Sequence, residues 1–514
     1  MKSFLFSIVL LLSLLSNFSA TAQRIVYSEI EKEDNRQMNF EILGKIGGNI
    51  SIYKNNRSQN QIAVYDNSMA LITKTNLSFL PEKLISTDFV VYADNFWMFY
   101  QFQKKNVVYY NAVKINGDGK LLMDPIELDT THLPSFTDNK IYSLVNSEDK
   151  QQIIVFKINR KMERRYVFTL LRCNQELKVV EKKVLPIDVS ERETEFTDFV
   201  VNNDGDFIFG KFARTLGKDY VNKLEIVAKK ALSDSFSRLP IPLTDKTLDE
   251  VKLKPDNVNK TIIINSFFYK QRRGNIDGIF NLVLDKSTWK AKATNSFIFG
   301  DTLRMDVKPD NASIKSAFND FFIKQVVPKR GGGFVVMAEM FYTSSRNAGW
   351  NRSDYLFGYG YMNPFNYGYF SPYNSIGYNR WGDPYNRWGT INTSSTRYFS
   401  ENVVILSFDT DAKLEWSNVI HKSQFDDNSE MFLSYQLFNT GSEIKFLYNE
   451  LNKRELLLSA STLNALGKVK KDQTLKNLDR NFEFMPRYGK QIGPRQIVLP
   501  CLNKNYVSFA KLDF

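Results

Sequence analysis

Glu339 is the most conspicuous chemical group in this sequence. It stands in Val335-Val336-Met337-Ala338-Glu339-Met340, a β-forming apolar run where a carboxylate needs an Arg or a ligand as partner. Two further acids lie in turn-like stretches: Asp277 in Arg272-Arg273-Gly274-Asn275-Ile276-Asp277-Gly278, and Asp320 in Ala317-Phe318-Asn319-Asp320. Carboxylate pairs carry out glycoside hydrolysis when their separation is roughly 5 to 10 Å, a distance that sequence does not fix. Lys254, Asp256, Asn257, Arg346 and Asp354 extend the polar set. Turns also select Asn, Asp and Gly for backbone reasons alone, so the same residues read as turn chemistry.

Other chemistries find little support. His132 and His421 are far apart, and Cys173 and Cys501 make no CxxC, which leaves no zinc-ligand spacing and no metal or cofactor to expect. There is no GxSxG, HExxH, phosphate-cradling Gly-Lys loop or dinucleotide fingerprint. Ser51-Ile52-Tyr53-Lys54 and Ser287-Thr288-Trp289-Lys290 match SxxK, but in strand-like sequence without companion motifs. Asp411 to Trp416 is similar to the turn-and-tryptophan docking of quinoprotein-type propellers but lacks their glycine, so Trp416 reads as packing between sheets.

Between Trp350 and Gly389 the composition turns to Tyr, Asn, Gly and Pro: 14 of 40 residues are aromatic, and Trp350, Trp381 and Trp388 are half of the six tryptophans. Too few aliphatic residues remain to pack a strand or helix, so residues 343–400 are expected as a long loop standing off the body. Aromatic rings stack on sugar faces and protein surfaces. The binding candidates are therefore Trp350, Tyr355, Trp381, Tyr385 and Trp388, with Arg272, Arg273, Asn275, Asp277, Asp320 and Glu339 around them. A self-packed cover without ligand is the alternative.

What must position these residues is a repeat. Eight clusters of β-forming residues, each broken at Gly, Asn or Asp turns, recur at about 40 to 60 residues outside the insertion, a period that propeller blades share. Asn116-Gly117-Asp118-Gly119 and Asn203-Asp204-Gly205-Asp206 are hairpin signals of this kind. Thr261-Ile262-Ile263-Ile264 is continuously apolar, as expected of a strand covered on both faces. The pattern predicts an all-β propeller of eight four-stranded blades, with seven as the alternative, as one domain over residues 23–514. The last cluster offers three strands, and Ile25-Val26-Tyr27 is the expected fourth, which would remove two open edges. The only helices expected are short ones in connecting loops, for example Asn311 to Asn319, because no long run keeps a 3.6-residue apolar period.

The N-terminus has the order of a secretory signal peptide over residues 1–22: Lys2, an apolar run from Phe4 to Leu15, then Ala20-Thr21-Ala22 before Gln23. Export to the periplasm or outer cell surface follows, with two free, buried thiols and no disulfide framework. No later run is long enough for a membrane-spanning helix. A net charge of +12 suits lipopolysaccharide, acidic glycans or nucleic acid as well as a plain solvated surface. Nucleic acid is not expected at an exported location.

Asp256-Asn257, Ser266-Phe267-Phe268-Tyr269, Gly274 to Gly278, Ala317 to Asp320 and Phe408-Asp409 through Trp416 together resemble an uncharacterised family of exported, β-propeller-like proteins from Bacteroidetes-type bacteria. That resemblance implies the compartment and no activity. The leading expectation is a non-enzymatic envelope scaffold that binds a protein or glycan. Alternatives are a glycoside hydrolase or lyase with central carboxylates, and an outer-membrane β-barrel. The barrel fits poorly with runs such as Ile262-Ile263-Ile264, which do not alternate.

Overall fold

The computed structural model describes residues 24–514 apart from 31–37, 57–58, 135–139, 161–164, 190–193, 215–219, 272–273, 310–311, 346–348, 358–368, 371–395, 428, 453–454, 473, 476–481 and 505. The fold is propeller-like, repeat-rich and all-β. Among the described residues the strands form seven antiparallel sheets, and the largest, of eight strands, divides into two halves joined through the single pair Val221↔Leu248, so that in chain order the strand groups open at Met38, Ser86, Ser143, Thr194, Thr247, Phe321, Tyr435 and Phe482. Separate sheets of this kind are not the one continuous sheet that a transmembrane barrel needs. Among the described residues no helix is long and apolar enough to cross a membrane.

A typical group is the first: Met38–Ile46, Asn49–Asn56, Gln59–Tyr65 and Leu71–Asn76, paired in sequence order. The middle strands are almost wholly buried, whereas Leu71–Asn76 is mostly open to solvent. The same gradient runs from Thr261–Tyr269, buried at every position as its unbroken apolar character predicts, to the largely exposed Ala291–Ile298. The last sheet combines Phe482–Phe484, Lys490–Gly493, Gln496–Asn503 and Tyr506–Asp513 with the N-terminal strand Arg24–Tyr27. Ile25 faces Leu512 and Val26 faces Lys511, so the first and last strands do pair.

No sheet buries both faces alone. Among the described residues the core is a set of clusters, most of them drawn from two successive groups. Tyr53 and Ile62 of the first meet Phe96 and Met98 of the second, and Phe438 and Leu458 of the seventh meet Ile497 and Leu499 of the last. Another joins the ends of the chain, with Phe40 and Ile52 against Val498 and Phe509. Full burial of each such side chain is worth about 1.5–3 kcal/mol, so neighbouring sheets stabilise one another.

Repeated turns complete these contacts. Asp66, Asn116, Asn174, Asp409 and Asn464 each accept hydrogen bonds from the N–H groups two and four residues on, and the residue three on has positive φ. Such turns dock on the preceding group. Trp97 Nε1 donates to Gln175 O at 2.9 Å, and Asn418 Nδ2 donates to Gly467 O at 2.8 Å beside Trp416. The first SxxK match is similarly structural: Ser51 Oγ donates to Gly117 O, and Lys54 Nζ to Tyr65 OH. Cys173 and Cys501 are free and buried in the third and last groups.

Two expectations need correction. A short helix does occupy a connecting loop, but at Asp301–Val307, where Arg304 turns back onto the carbonyls of Phe299 and Ile276, and not at the example Asn311 to Asn319. Ser313 and Ser316 there bond each other's backbone, which favours turns over a helix. The insertion, expected to stand off, begins with a helix, Arg352–Phe357, packed onto the body. Further along, Tyr369–Phe370 pairs with Ile158 and Asn159 of the third group.

Candidate functional site

The strands Thr247–Asp256, Phe321–Pro328 and Tyr435–Asn439 open successive groups, and with the 3-10 turn Pro486–Tyr488 they border a cavity of about 290 Å³. A register irregularity between Leu248 and Val251 turns the adjacent Asp249 and Glu250 to the cavity. Leu248, Val251 and Leu253 enter a core cluster between sheets, while Glu250 and Lys252 line the cavity together with Lys324, Tyr435 and Arg487. Lys252 Nζ lies 2.8 Å from Glu250 Oε1, and the other oxygen of Glu250 accepts the Ile323 N–H at 3.1 Å. Asp198 accepts the Leu253 N–H at 2.7 Å, and burial pushes its carboxyl up to about 6 against the pull of Lys252. Burial likewise brings the Lys324 ammonium down to about 7, opposed by Glu339 and Glu250. Arg487 is held by Glu430 at 3.0 Å.

Glu339 is fully buried, and its partner is a lysine rather than an arginine or ligand. Lys422 Nζ lies 2.9 Å from Oε1, Ser400 Oγ donates to the same oxygen at 2.8 Å, and Ser434 Oγ donates to Oε2 at 2.6 Å. Burial alone would raise the carboxyl; Lys422 and Lys324 outweigh it and hold it below its ordinary value. Lys422 also donates to Gln424 Oε1, which accepts the Ser434 N–H, so the network ties the sixth group to the seventh. Both carboxylate oxygens are engaged. The arrangement suits a structural clasp better than an acid–base catalyst.

The insertion is fastened over the cavity. Arg352 Nε lies 2.6 Å from Asp249 Oδ2, its Nη1 donates to Asn319 O and Phe321 O, and its guanidinium sits 4.0 Å from the centroid of the Phe322 ring. Tyr269 OH donates to the same Asp249 oxygen at 2.6 Å. Trp350 Nε1 donates to Asp320 Oδ1 at 2.7 Å, and its ring packs against Phe322, Phe341 and Tyr355. Burial raises the Asp320 carboxyl despite that hydrogen bond. Tyr355 and Leu356 form part of the cavity wall.

Of the candidate residues, Tyr355 lines the cavity, Trp350 and Asp320 are joined beside it, and Glu339 lies behind the wall, bonded to the lining residue Ser434. Asn275 is drawn toward them, because Asn319 Nδ2 donates to its Oδ1 at 2.7 Å. Asp277 serves its own turn by accepting the Lys270 N–H at 2.6 Å. Arg272, Arg273, Trp381, Tyr385 and Trp388 lie outside the described residues. Lys254, Asp256 and Asn257 fall at the opposite end, where further cavities of about 630 and 650 Å³ lie. Among the described residues no group of three His, Cys, Asp or Glu side chains is placed to hold a metal ion.

Asp249, Arg352, Lys324, Lys422 and Tyr435 were not singled out from sequence. Asp249-Glu250-Val251-Lys252-Leu253-Lys254 did carry a signal, since charges interleaved with apolar residues mark a strand with one polar face. Arg352 had none, being one more charge in a low-complexity stretch.

No family model and no curated protein matches the chain. Solved structures similar to it include prolyl oligopeptidase B from Galerina marginata, at 10% identity and a TM-score of 0.40, over 92% of this chain and 56% of that one. An ulvan lyase described as a new polysaccharide lyase family gives 8% and 0.35, over 82% and 90%. Apocarotenoid oxygenase from Synechocystis gives 8% and 0.33, over 73% and 72%. The chain thus spans about half the length of the oligopeptidase.

Proposed function

We propose that this chain is an exported cell-envelope propeller of eight blades, sealed by the pairing of its first and last strands, that binds an envelope protein or glycan without catalysis. The ring is supported by core clusters that link each group to the next, including Phe40 against Phe509, ring centroids 5.3 Å apart. Export to the periplasm or outer cell surface is supported by the leader-like residues 1–22.

The Arg352–Asp249 ion pair carries the binding reading. It fixes the start of an aromatic-rich insertion to the wall of the central cavity, so that a large adaptable surface is mounted on a rigid body. Glu339, the carboxylate best suited by sequence to catalysis, is consumed by Lys422 and two serines.

A carbohydrate-active enzyme is the second reading. It is favoured by Asp198 and Lys324, which titrate near neutrality beside one cavity. Incubation of the purified chain with envelope polysaccharides separates the two. Retention of polysaccharide with no new reducing ends or unsaturated products supports the binder, and product formation that Lys324→Met abolishes supports the enzyme.

A further inference from the structure

Charge is divided between the two ends of the body. Strands pair antiparallel in sequence order, so the turns from first to second strand of the groups lie at one end and the hairpins from second to third strand at the other. Successive groups keep the same sense. Ser51 and Trp97, in second strands, donate to Gly117 and Gln175 in the turns after the third strands of the next groups, while Gln101 Oε1, toward the hairpin end, accepts the N–H groups of Ile141 and Tyr142. The first-to-second turns, over residues 46–49, 91–95, 146–152, 201–207, 256–261, 328–334, 439–443 and 493–496, hold five Lys or Arg and seven Asp or Glu. The short second-to-third connections, over residues 56–59, 104–107, 160–165, 214–221, 269–278, 452–455 and 503–506, hold fifteen Lys or Arg and four Asp or Glu in sequence, so positive charge collects at the hairpin end.

Lys104, Lys105, Lys270 and Lys504 stand at that end in the second, fifth and eighth groups, and all four are exposed. None forms an ion pair with a carboxylate among the described residues. Because these cations belong to separate groups, one small anion meets a single hairpin, whereas a plane of anions meets them all. Two exposed apolar side chains share the end: Leu451, beside the connection 452–455, and Phe425, in the strand Gln424–Asp427 that pairs with the start of Thr396–Phe408. Apolar groups set among cations suit anionic headgroups lying over acyl chains, and a soluble polyanion offers no such apolar layer. The insertion leaves from the same end, since it joins Phe334–Ser345 to Thr396–Phe408.

We propose that the hairpin end is a docking surface for a leaflet of anionic phospholipid. Lys104, Lys105, Lys270 and Lys504 meet its phosphates, and Leu451 and Phe425 enter the layer beneath them. Docked in this way, the body turns the base of the insertion toward the membrane. The proposal goes beyond the protein- or glycan-binding reading above and stands without it.

Flotation of the mature chain with vesicles of phosphatidylglycerol and phosphatidylcholine in equal parts, and with vesicles of phosphatidylcholine alone, tests it. Binding to the anionic vesicles should exceed binding to the neutral ones at least about tenfold and fall as salt is raised. A basic residue close to an anionic leaflet strengthens binding about fivefold, so Lys104→Gln, Lys105→Gln, Lys270→Gln and Lys504→Gln together should weaken it at least about thirtyfold. Lys260→Gln, Arg330→Gln, Lys468→Gln and Arg495→Gln together remove the same charge from exposed positions at the opposite end, and should weaken it less than about threefold. Melting temperatures of both variants should match that of the unaltered chain, because exposed side chains are replaced. Absence of flotation, equal binding to the two kinds of vesicle, or equal losses in the two variants overturns the proposal. Retention of soluble polygalacturonate by a chain that does not float assigns the cations to a soluble polyanion and overturns it as well.

Discussion

Arg352 and Asp249 meet at 2.6 Å across 103 residues of chain, one from the first helix of an aromatic insertion and the other from the opening strand of the fifth group. Both are largely buried, with side chains 11% and 3% exposed. Removing one partner of such a pair strands the other's charge, which typically costs about 3–5 kcal/mol, far more than a surface pair is worth.

Arg352→Ala should therefore lower stability by about 3 kcal/mol and release the helix Arg352–Phe357. Hydrogen exchange should show lost protection over residues 350–357 with the remaining sheets unaffected. Asp249→Ala combined with Arg352→Ala should cost less than the sum of the single changes, because neither charge is left alone. Additive costs would mean that the pair does not fasten the insertion.

Glu339→Gln leaves Lys422 buried without its counter-charge, and a loss of about 3–5 kcal/mol is expected at neutral pH. The sign with pH follows from a carboxyl held below its ordinary value of 4.5 in the folded chain. Its contribution is fully present above the unfolded value and disappears as pH falls through the lower, folded one. Denaturant melts of wild type and variant should accordingly converge in acid and stay apart at pH 7.

Asp198 behaves in the opposite way. Its folded value of about 6 lies above the ordinary 3.8, so the fold favours the neutral acid and wild-type stability declines as pH rises through that interval. Asp198→Asn keeps an acceptor for the Leu253 N–H and suits the positive φ of 48°. It should raise stability at pH 7 by up to about 3 kcal/mol, with the gain vanishing below about pH 4. A loss of stability at pH 7 would contradict this.

Gly467 tests the docking of successive groups. Its φ is +78°, and a Cβ there would lie 2.6 Å from Trp416 Cε2 in the group before. Gly467→Ala combines a left-handed backbone penalty of about 1 kcal/mol with an overpacking cost of about 1–3 kcal/mol. The melting temperature should fall, and Trp416→Leu in the same chain should restore part of it.

The period-two runs and Asn or Asp turns were legible because each sheet repeats the same local solution, as Asn116, Asp409 and Asn464 do in their hairpins. Ile25-Val26-Tyr27 was legible as a strand because it is apolar, isolated and in need of a partner. Glu339 was legible as a charge requiring a partner, but not which one. Lys422 is 83 positions away and looks like any surface lysine, and only the meeting of the sixth and seventh groups buries it. Arg352 was obscured for a related reason: its role comes from a distant aspartate and the Phe322 ring rather than from neighbours in sequence. The helix at Asp301–Val307 has no side-chain N-cap and too few residues to display a period, so nothing local announced it.

The central claim is that recognition runs through the insertion mounted on the cavity lined by Glu250, Lys324 and Arg487. Quantitative capture of envelope material on the immobilised chain, compared with a chain lacking residues 358–395 but keeping the anchoring helix, tests this most directly. The account predicts a loss of retained material of at least about tenfold, with only a small fall in melting temperature from the lost pairing of Tyr369–Phe370 with Ile158 and Asn159. Undiminished capture by the shortened chain would contradict it.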